Sequence, residues 1–210
     1  MNYLVIDLEM TGTEPGWHEI IQVGAVLYNE SWTELGRYIS NVYPENEESY
    51  SQSSFEVHGL SLADLDDAPM LNEVLPEFEE WILKTLKVPI NKGNQGPAVT
   101  ALRNVAICGQ SVIYDINFLR FAYRQEKLQW PFSNQTIDLN NLAFFLFATL
   151  RENGIATPKG LSLTAIADFF HIEREGEKHN ALEDSVITGE CLKLVMAYTK
   201  QLTLKNVSSI

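Results

Sequence analysis

The pattern of apolar and polar positions begins with strand-like segments. Residues 3–8 and 20–28 are short apolar runs rich in strand-forming residue types, and residues 11–16 between them are typical of a loop. Residues 32–42 alternate imperfectly and predict a third strand, which completes an antiparallel meander. The polar residues 45–54 predict a loop.

Helical spacing dominates the rest of the chain. Residues 105–112 and 136–139 predict two more strands, and a helical pattern begins at Asp115 after the first of them. The other segments with helical periodicity are 70–86, 142–150, 161–170 and 181–198. Strands first, then strands alternating with helices, then helices predict an α/β fold with a mixed sheet covered by helices.

Residues 91–97 contain the clearest linker-like stretch, NKGNQGP. This stretch is too short to separate two domains, so it predicts a surface loop. The length of 210 residues also favours one domain. We therefore predict a single domain over residues 1–210.

The net charge limits the partners that this chain could bind. Its 28 acidic and 15 basic residues give a formal net charge of −13. Such a field repels polyanions and excludes a broad electrostatic surface for nucleic acid. Bound divalent cations would reverse the sign of the field locally, so a nucleic-acid substrate would require a metal site.

The expected location is cytoplasmic. The first residues lack the basic region and long apolar segment of a secretory signal, and no apolar run is long enough to span a bilayer. Cys108 and Cys191 have no metal-ligand spacing and are too few for a disulfide framework, so we predict buried free thiols. No membrane partner is expected.

Four acids lie at positions that are compatible with either a functional or a structural role. Asp7 and Glu9 are two residues apart at the end of a predicted strand, so both carboxylates point to one side, either towards a cation or into solvent. Asp115, at a strand-to-helix junction, is by itself typical of a helix N-cap. Asp184 lies in the early turns of the last helix, five residues after His179, and its charge suits the helix dipole whatever its function.

Taken together, these elements resemble the DEDD exonuclease superfamily, in the branch with histidine in its third motif. That branch (DEDDh) includes proofreading exonuclease subunits, oligoribonuclease and ribonuclease T. The first motif stands here as IDLEMTG at residues 6–12 followed by IIQVGAV at 20–26, and the third as HNALED at 179–184. The second, GQSVIYDINFL at 109–119, has Gln110-Ser111 where the family has His-Asn, which puts the family's substrate contacts at those two positions in doubt.

This resemblance implies a fold, an activity and a site. The implied fold is a ribonuclease H-like, mixed five-stranded sheet flanked by helices. The implied activity is 3′-to-5′ hydrolysis of single-stranded nucleic acid, with release of 5′ mononucleotides. Asp7, Glu9, Asp115 and Asp184 would hold two divalent cations, Mg²⁺ or Mn²⁺, and His179 would act as general base.

Residues near the motifs are further candidates for contact with the substrate. Met10 and Thr11 resemble positions that contact the terminal nucleotide, and ordinary packing explains them equally well. Trp17, in the loop after the first motif, is a candidate for base stacking. Arg174 and Lys178, near His179, are candidate phosphate contacts. The expected partners are 3′ ends of single-stranded DNA or RNA, and a homodimer or a polymerase-associated subunit is the expected assembly.

Three other functions stay open at this point. The first is a narrower oligoribonuclease or RNA-trimming activity, which the scarcity of positive charge favours because long strands need an electrostatic track. The second is a non-catalytic nucleic-acid-binding module, in which we would expect some of the acids to be lost. The third is an unrelated α/β protein whose acids only cap helices and interact with solvent.

Overall fold

The computed structural model describes residues 1–91, 93–174 and 179–201. A mixed five-stranded sheet organises them, in the order β3-β2-β1-β4-β5. β1 pairs antiparallel with β2 and parallel with β4, β2 pairs antiparallel with β3, and β4 pairs parallel with β5. The strands are β1 (Asn2–Met10), β2 (Ile20–Tyr28), β3 (Glu34–Asn41), β4 (Val105–Gly109) and β5 (Thr136–Asp138). The predicted α/β class and mixed five-stranded sheet are confirmed.

Helices cover both faces of this sheet. In chain order they are α1 (Gln52–His58), α2 (Leu62–Leu65), α3 (Leu71–Thr85), α4 (Gly96–Arg103), α5 (Ile113–Gln125), α6 (Leu139–Glu152), α7 (Leu163–Phe169) and α8 (Ala181–Tyr198). Single 3₁₀ turns lie at Glu47–Ser49 and Thr199–Gln201. None of the helices in the described ranges has both the length and the apolar character needed to cross a membrane. The cytoplasmic location stays a prediction.

The period of two along β1 separates two apolar cores. Leu4, Ile6 and Leu8 pack on one face of the sheet with α3 and α5, whereas Val5 packs on the other face with α6, α7 and α8. Asp7 and Glu9 continue the series of Val5. The alternation therefore places both acids on the face that α8 covers.

Several predicted boundaries were wrong. β4 ends at Gly109, not at residue 112, because Ser111 has a left-handed φ of 53° that turns the chain out of the sheet. Residues 45–54 contain a 3₁₀ turn and the start of α1, and the loop predicted at 91–97 ends where α4 begins. The short helices α1, α2 and α4 have too few turns to show helical periodicity in the sequence.

Two buried side chains match their sequence-based assignments. Cys108 and Cys191 are free, fully buried thiols, as predicted. They lie in the core beneath α6, α7 and α8. Their role among the described residues is packing.

Gly24 on β2 lets α8 approach the sheet. A Cβ atom at this position would lie 2.0 Å from the carbonyl carbon of Ala181 and 2.3 Å from the backbone nitrogen of Leu182. The Ser185 hydroxyl donates a hydrogen bond of 3.0 Å to the Gly24 carbonyl, which fixes the contact. The absence of a side chain thus determines where the first turn of α8 lies.

We expect Gly24→Ala to destabilise the fold by about 1–3 kcal/mol, because the added methyl group must push α8 away from β2. Urea denaturation measures this change. Gly160→Ala is the matched control, since no atom lies within 4 Å of the Cβ position there. Equal stabilities of the two variants would show that α8 does not depend on this close approach.

Candidate metal centre

Three carboxylates converge where β1 meets α8. Asp7, Glu9 and Asp184 each offer an oxygen atom, and these atoms all lie within 4.8 Å of one another. Glu9 is 7% exposed and Asp184 is 3% exposed. The structure therefore brings the first and third sequence motifs together, with both acids of the first motif on one side of the strand.

Asp115 lies on α5 next to this group and is not one of the three acids whose oxygen atoms lie within 4.8 Å of one another. Its Oδ1 accepts a hydrogen bond of 3.0 Å from the backbone N–H of Leu8, the residue between the two β1 acids. The N-cap of α5 is Val112, so the alternative role of Asp115 as the N-cap was wrong, and its side chain lies in the first turn. The second motif is thereby tied directly to the first.

The start of α8 is held by polar side chains. Asn180 is the N-cap, and its Oδ1 accepts hydrogen bonds from the backbone N–H groups of Leu182 and Glu183 at 3.1 and 3.3 Å. Gln22 on β2 accepts a hydrogen bond of 3.0 Å from the backbone N–H of Ala181. These contacts place Asp184 against β1.

Two side chains contact the Asp184 carboxylate. His179 Nδ1 lies 2.7 Å from Asp184 Oδ2, while the imidazole side chain is 46% exposed. The Arg174 guanidinium contacts Asp184 Oδ1 and lies 3.7 Å from Glu183 Oε2. Asp184 thus connects the acids of β1 to an exposed histidine, and Arg174 supplies a positive charge beside it.

Burial and mutual repulsion raise the pKa values of the other three acids. Burial raises the pKa of Glu9 from 4.5 to about 8, with further contributions from Asp184 and Asp115. The pKa of Asp7 is raised well above its usual value, first by burial and then by Asp115 and Glu9. Burial raises the pKa of Asp115 to about 7, against the lowering effect of its backbone hydrogen bonds. The centre opposes the accumulation of negative charge.

A divalent cation fits this arrangement. Oε1 of Glu9 is buried and has no hydrogen-bond partner among the described residues. Carboxylate oxygens are the ligands that hard cations such as Mg²⁺ and Mn²⁺ prefer. An ion would neutralise charges that Arg174 balances only in part.

The raised pKa values predict that the metal-free protein loses stability as pH rises. When folding raises the pKa of a carboxyl group, the protonated group stabilises the folded state. This stabilisation is complete below the pKa of the unfolded state, and it is lost as the pH rises through the pKa of the folded state, which is about 8 for Glu9. In EDTA we expect the melting temperature to fall by roughly 5–10 °C between about pH 5 and about pH 8.5. Added Mn²⁺ should remove most of the fall, because binding favours the charged carboxylates.

Differential scanning fluorimetry at several pH values tests this expectation. Glu9→Gln is the informative variant, since it removes the carboxyl group at nearly constant volume. In EDTA, the melting temperature of this variant should change less with pH than that of the wild type. Parallel profiles would mean that the pH dependence comes from other acids of the chain.

Arg174 is expected to compete with a cation for Asp184. Replacing it by glutamine removes a positive charge from the site, so Mn²⁺ should bind roughly tenfold more tightly while the metal-free melting temperature falls. Titration calorimetry measures the affinity. Arg103→Gln, at an exposed arginine on α4, controls for the change in total charge. Unchanged or weaker Mn²⁺ binding in the Arg174 variant would contradict the competition.

The predicted substrate contacts lie around the loop that follows β1. Thr11 is fully buried, and its Oγ1 accepts a hydrogen bond of 3.0 Å from the Glu19 backbone N–H, so its side chain already stabilises this loop. Met10 packs against the apolar core, and Trp17 is 50% exposed. Their contact with a nucleotide stays a prediction. Lys178 lies outside the described residues.

Sequence reasoning missed the residues that position the acids. Gln22 is a polar residue in the otherwise apolar strand β2, and that interruption was a usable signal. Asn180 precedes an apolar-periodic helix, as N-cap residues do. No local pattern pointed to the contact of Arg174 with Asp184, which depends on the path of the loop after α7.

The sheet and its covering helices are similar in fold to solved DEDDh nucleases. The solved nuclease domain of 3′hExo, described as a DEDDh family member bound to rAMP, matches with a TM-score of 0.71 at 18% identity, over 97% of this chain and 96% of that one. Residues 4–94 match the model of the exonuclease family. The resemblance that the three motifs indicated is confirmed.

Two relatives extend the comparison along the chain. ERI1 exoribonuclease 2 of Mus musculus is 28% identical over 222 residues, which cover 97% of this chain and 31% of the relative. DNA polymerase III subunit epsilon of Aquifex aeolicus is 28% identical over 188 residues, which cover 90% of this chain and 77% of the relative. The chain therefore spans less than a third of its exoribonuclease relative and most of the polymerase subunit.

Proposed function

We propose that this chain is a metal-dependent 3′-to-5′ exonuclease that hydrolyses single-stranded nucleic acid and releases 5′ mononucleotides. The convergence of Asp7, Glu9 and Asp184, with oxygen atoms within 4.8 Å, carries the proposal. An acid cluster of this kind on an exonuclease-family sequence is suited to phosphodiester hydrolysis. Residues 1–210 form one exonuclease domain in this proposal.

The four acids hold two divalent cations, Mg²⁺ or Mn²⁺, in this proposal. Asp7, Glu9, Asp115 and Asp184 would form the ligand set. Bound there, the cations would supply the activation of water and the stabilisation of a leaving 3′ oxygen that such sites provide. Oε1 of Glu9 is buried without a hydrogen-bond partner in the described part of the chain, and this atom and the raised pKa values of Glu9 and Asp115 support this assignment.

His179 acts as the general base that removes a proton from the attacking water. A carboxylate can only accept a hydrogen bond, so the 2.7 Å contact with Asp184 makes Nδ1 of His179 the donor. The other ring nitrogen, Nε2, is then the atom that accepts a proton. Its half-exposed ring can reach a substrate bound at the surface.

Single-stranded 3′ ends are the proposed substrate, with Met10, Thr11 and Trp17 contacting the terminal nucleotide. The net charge of −13 disfavours long electrostatic tracks and favours short substrates, as in the oligoribonuclease alternative. The relatives include an exoribonuclease and a DNA polymerase subunit, so both sugars need to be tested. A subunit of a polymerase assembly or a homodimer is the proposed assembly.

A binding module without catalysis is the weaker alternative. Such a module would not need to retain repelling acids, because they cost stability unless a cation is bound. All four acids and the histidine are present in this chain.

Incubation with 5′-labelled single-stranded DNA, RNA and short oligoribonucleotides, with Mn²⁺ or with EDTA, tests the proposal. We expect products that shorten stepwise from the 3′ end only when Mn²⁺ is present. Comparison of the three substrates determines sugar preference and length dependence. Absence of shortening with every substrate, by protein that binds Mn²⁺, would favour the binding module.

A further inference from the structure

A groove of about 450 Å³ runs along α5 and the segment that follows this helix. Arg120 and Arg124 line it together with apolar side chains, which include Leu128 and Trp130. None of its lining residues in the described part of the chain is acidic. The whole chain has 28 acidic and 15 basic residues, so the charge of this groove is opposite in sign to that of the molecule.

Aromatic rings hold the two arginine side chains in position. Cζ of Arg120 lies 4.8 Å from the centroid of the Trp130 ring, and Cζ of Arg124 lies 5.8 Å from the centroid of the Phe121 ring. Contacts of this kind are attractive and suit the planar guanidinium group. The positions of both positive charges are therefore set before a ligand binds, which lowers the entropic cost of binding.

Both guanidinium groups are exposed and can bind a further anion. Nη2 of Arg120 donates a hydrogen bond of 3.1 Å to Asn134 Oδ1, and Nε of Arg124 donates one of 3.3 Å to the Arg120 carbonyl. Within residues 1–91, 93–174 and 179–201, neither arginine forms an ion pair. A guanidinium has five N–H donors and binds a carboxylate through two of them. Each arginine can therefore bind one carboxylate while it keeps its present hydrogen bond.

The two arginines lie on the side of α5 that faces away from the metal centre. Asp115, on the same helix, points towards β1, where its carboxylate accepts the hydrogen bond from Leu8. Successive positions of an α-helix differ in direction by about 100°, so Arg120 lies about 140° and Arg124 about 180° around the axis from Asp115. The groove is therefore separate from the metal centre.

We propose that this groove binds an acidic peptide segment of a partner protein. Arg120 and Arg124 are four positions apart on α5, so their side chains are neighbours, with about 5–6 Å between the Cβ atoms. In an extended peptide, side chains two residues apart point to the same side and are about 6.4–6.8 Å apart. Two acidic residues separated by one residue therefore match the two guanidinium groups, and an apolar side chain beside them packs on Leu128 and Trp130.

The groove suits a peptide better than a nucleic acid. Affinity for nucleic acid comes largely from contacts with many phosphates, whereas clusters of a few arginines recognise short acidic motifs. The net charge of −13 opposes both ligands. A peptide with two carboxylates brings less negative charge than a strand with one phosphate for each nucleotide.

Fluorescence anisotropy with labelled octapeptides tests this proposal. Each peptide contains one phenylalanine and two glutamates, which are adjacent or separated by one, two or three residues, and in a matched set glutamine replaces both glutamates. We expect the glutamate peptide with one intervening residue to bind at least about tenfold more tightly than its glutamine counterpart. Arg120→Gln and Arg124→Gln should each weaken its binding about tenfold. Arg103→Gln is the matched control, at an exposed arginine on α4, and should leave the affinity unchanged.

Four results would overturn the proposal. One is that no glutamate peptide binds, and another is that Arg103→Gln weakens binding as much as Arg124→Gln does. In EDTA, where no hydrolysis is expected, an equal loss of affinity of Arg124→Gln for a labelled single-stranded hexanucleotide would assign the groove to nucleic acid. A dimer of the wild type that Arg124→Gln abolishes in sedimentation analysis would assign the groove to a second copy of this chain.

Discussion

Replacing Asp7 by asparagine is expected to abolish hydrolysis and to make the metal-free protein more stable. The variant loses a proposed metal ligand, so kcat should fall at least about 1,000-fold. The same change removes one of several carboxyl groups that repel one another, and the pKa of Asp7 is raised by desolvation and by the neighbouring acids. The melting temperature in EDTA near neutral pH should therefore rise by roughly 3–6 °C. Nuclease assays and scanning fluorimetry measure the two effects.

Asp67→Asn provides the control, because it makes the same chemical change at an exposed position. It should leave both activity and melting temperature close to wild type. The metal-centre interpretation would be wrong if Asp7→Asn retained turnover. A lower melting temperature of the inactive Asp7 variant would indicate a structural role for this acid instead.

Replacing His179 by asparagine is expected to lower kcat about 100- to 10,000-fold, the usual contribution of a positioned general base. Asparagine can still donate a hydrogen bond to Asp184, but it cannot accept the proton of the attacking water. Mn²⁺ affinity should change little, since the four acids remain. The loss should become smaller at high pH, where hydroxide replaces water. Single-turnover rates across a pH series measure this dependence.

His171→Asn is the matched control, at an exposed histidine in the turn after α7. Asparagine tolerates the left-handed φ of 57° at this position. The base assignment would fail if His179→Asn kept wild-type turnover while Asp7→Asn was inactive. It would also fail if both histidine variants lost activity equally.

The period of two along the first strands made the core of the fold predictable. In β1 it separates Leu4, Ile6 and Leu8 from Val5 and the two acids, and the structure shows the same division between faces. The short helices were not predictable, since α2 has only four residues. Such segments are stabilised by tertiary contacts that leave no period in the sequence.

The acidic site was predictable from the order of its motifs and not from any single residue. Asp7 and Glu9 share a face because a strand repeats every two residues, and the third motif supplied Asp184. The contact of Arg174 with Asp184 was not predictable, because loop paths follow from tertiary packing. The same holds for the hydrogen bond that joins Asp115 to the Leu8 backbone.

Asp138, which is half-buried, illustrates a second kind of acid in this chain. Both of its oxygens accept hydrogen bonds from backbone N–H groups, whereas Oε1 of Glu9 has no partner among the described residues. A carboxylate that serves to bind a cation lowers the stability of the metal-free protein, whereas a carboxylate that accepts backbone hydrogen bonds raises it. Removal of a cation-binding carboxyl group should therefore raise the melting temperature of the metal-free protein, and removal of a structural one should lower it. This difference distinguishes the two roles before any nuclease assay is done.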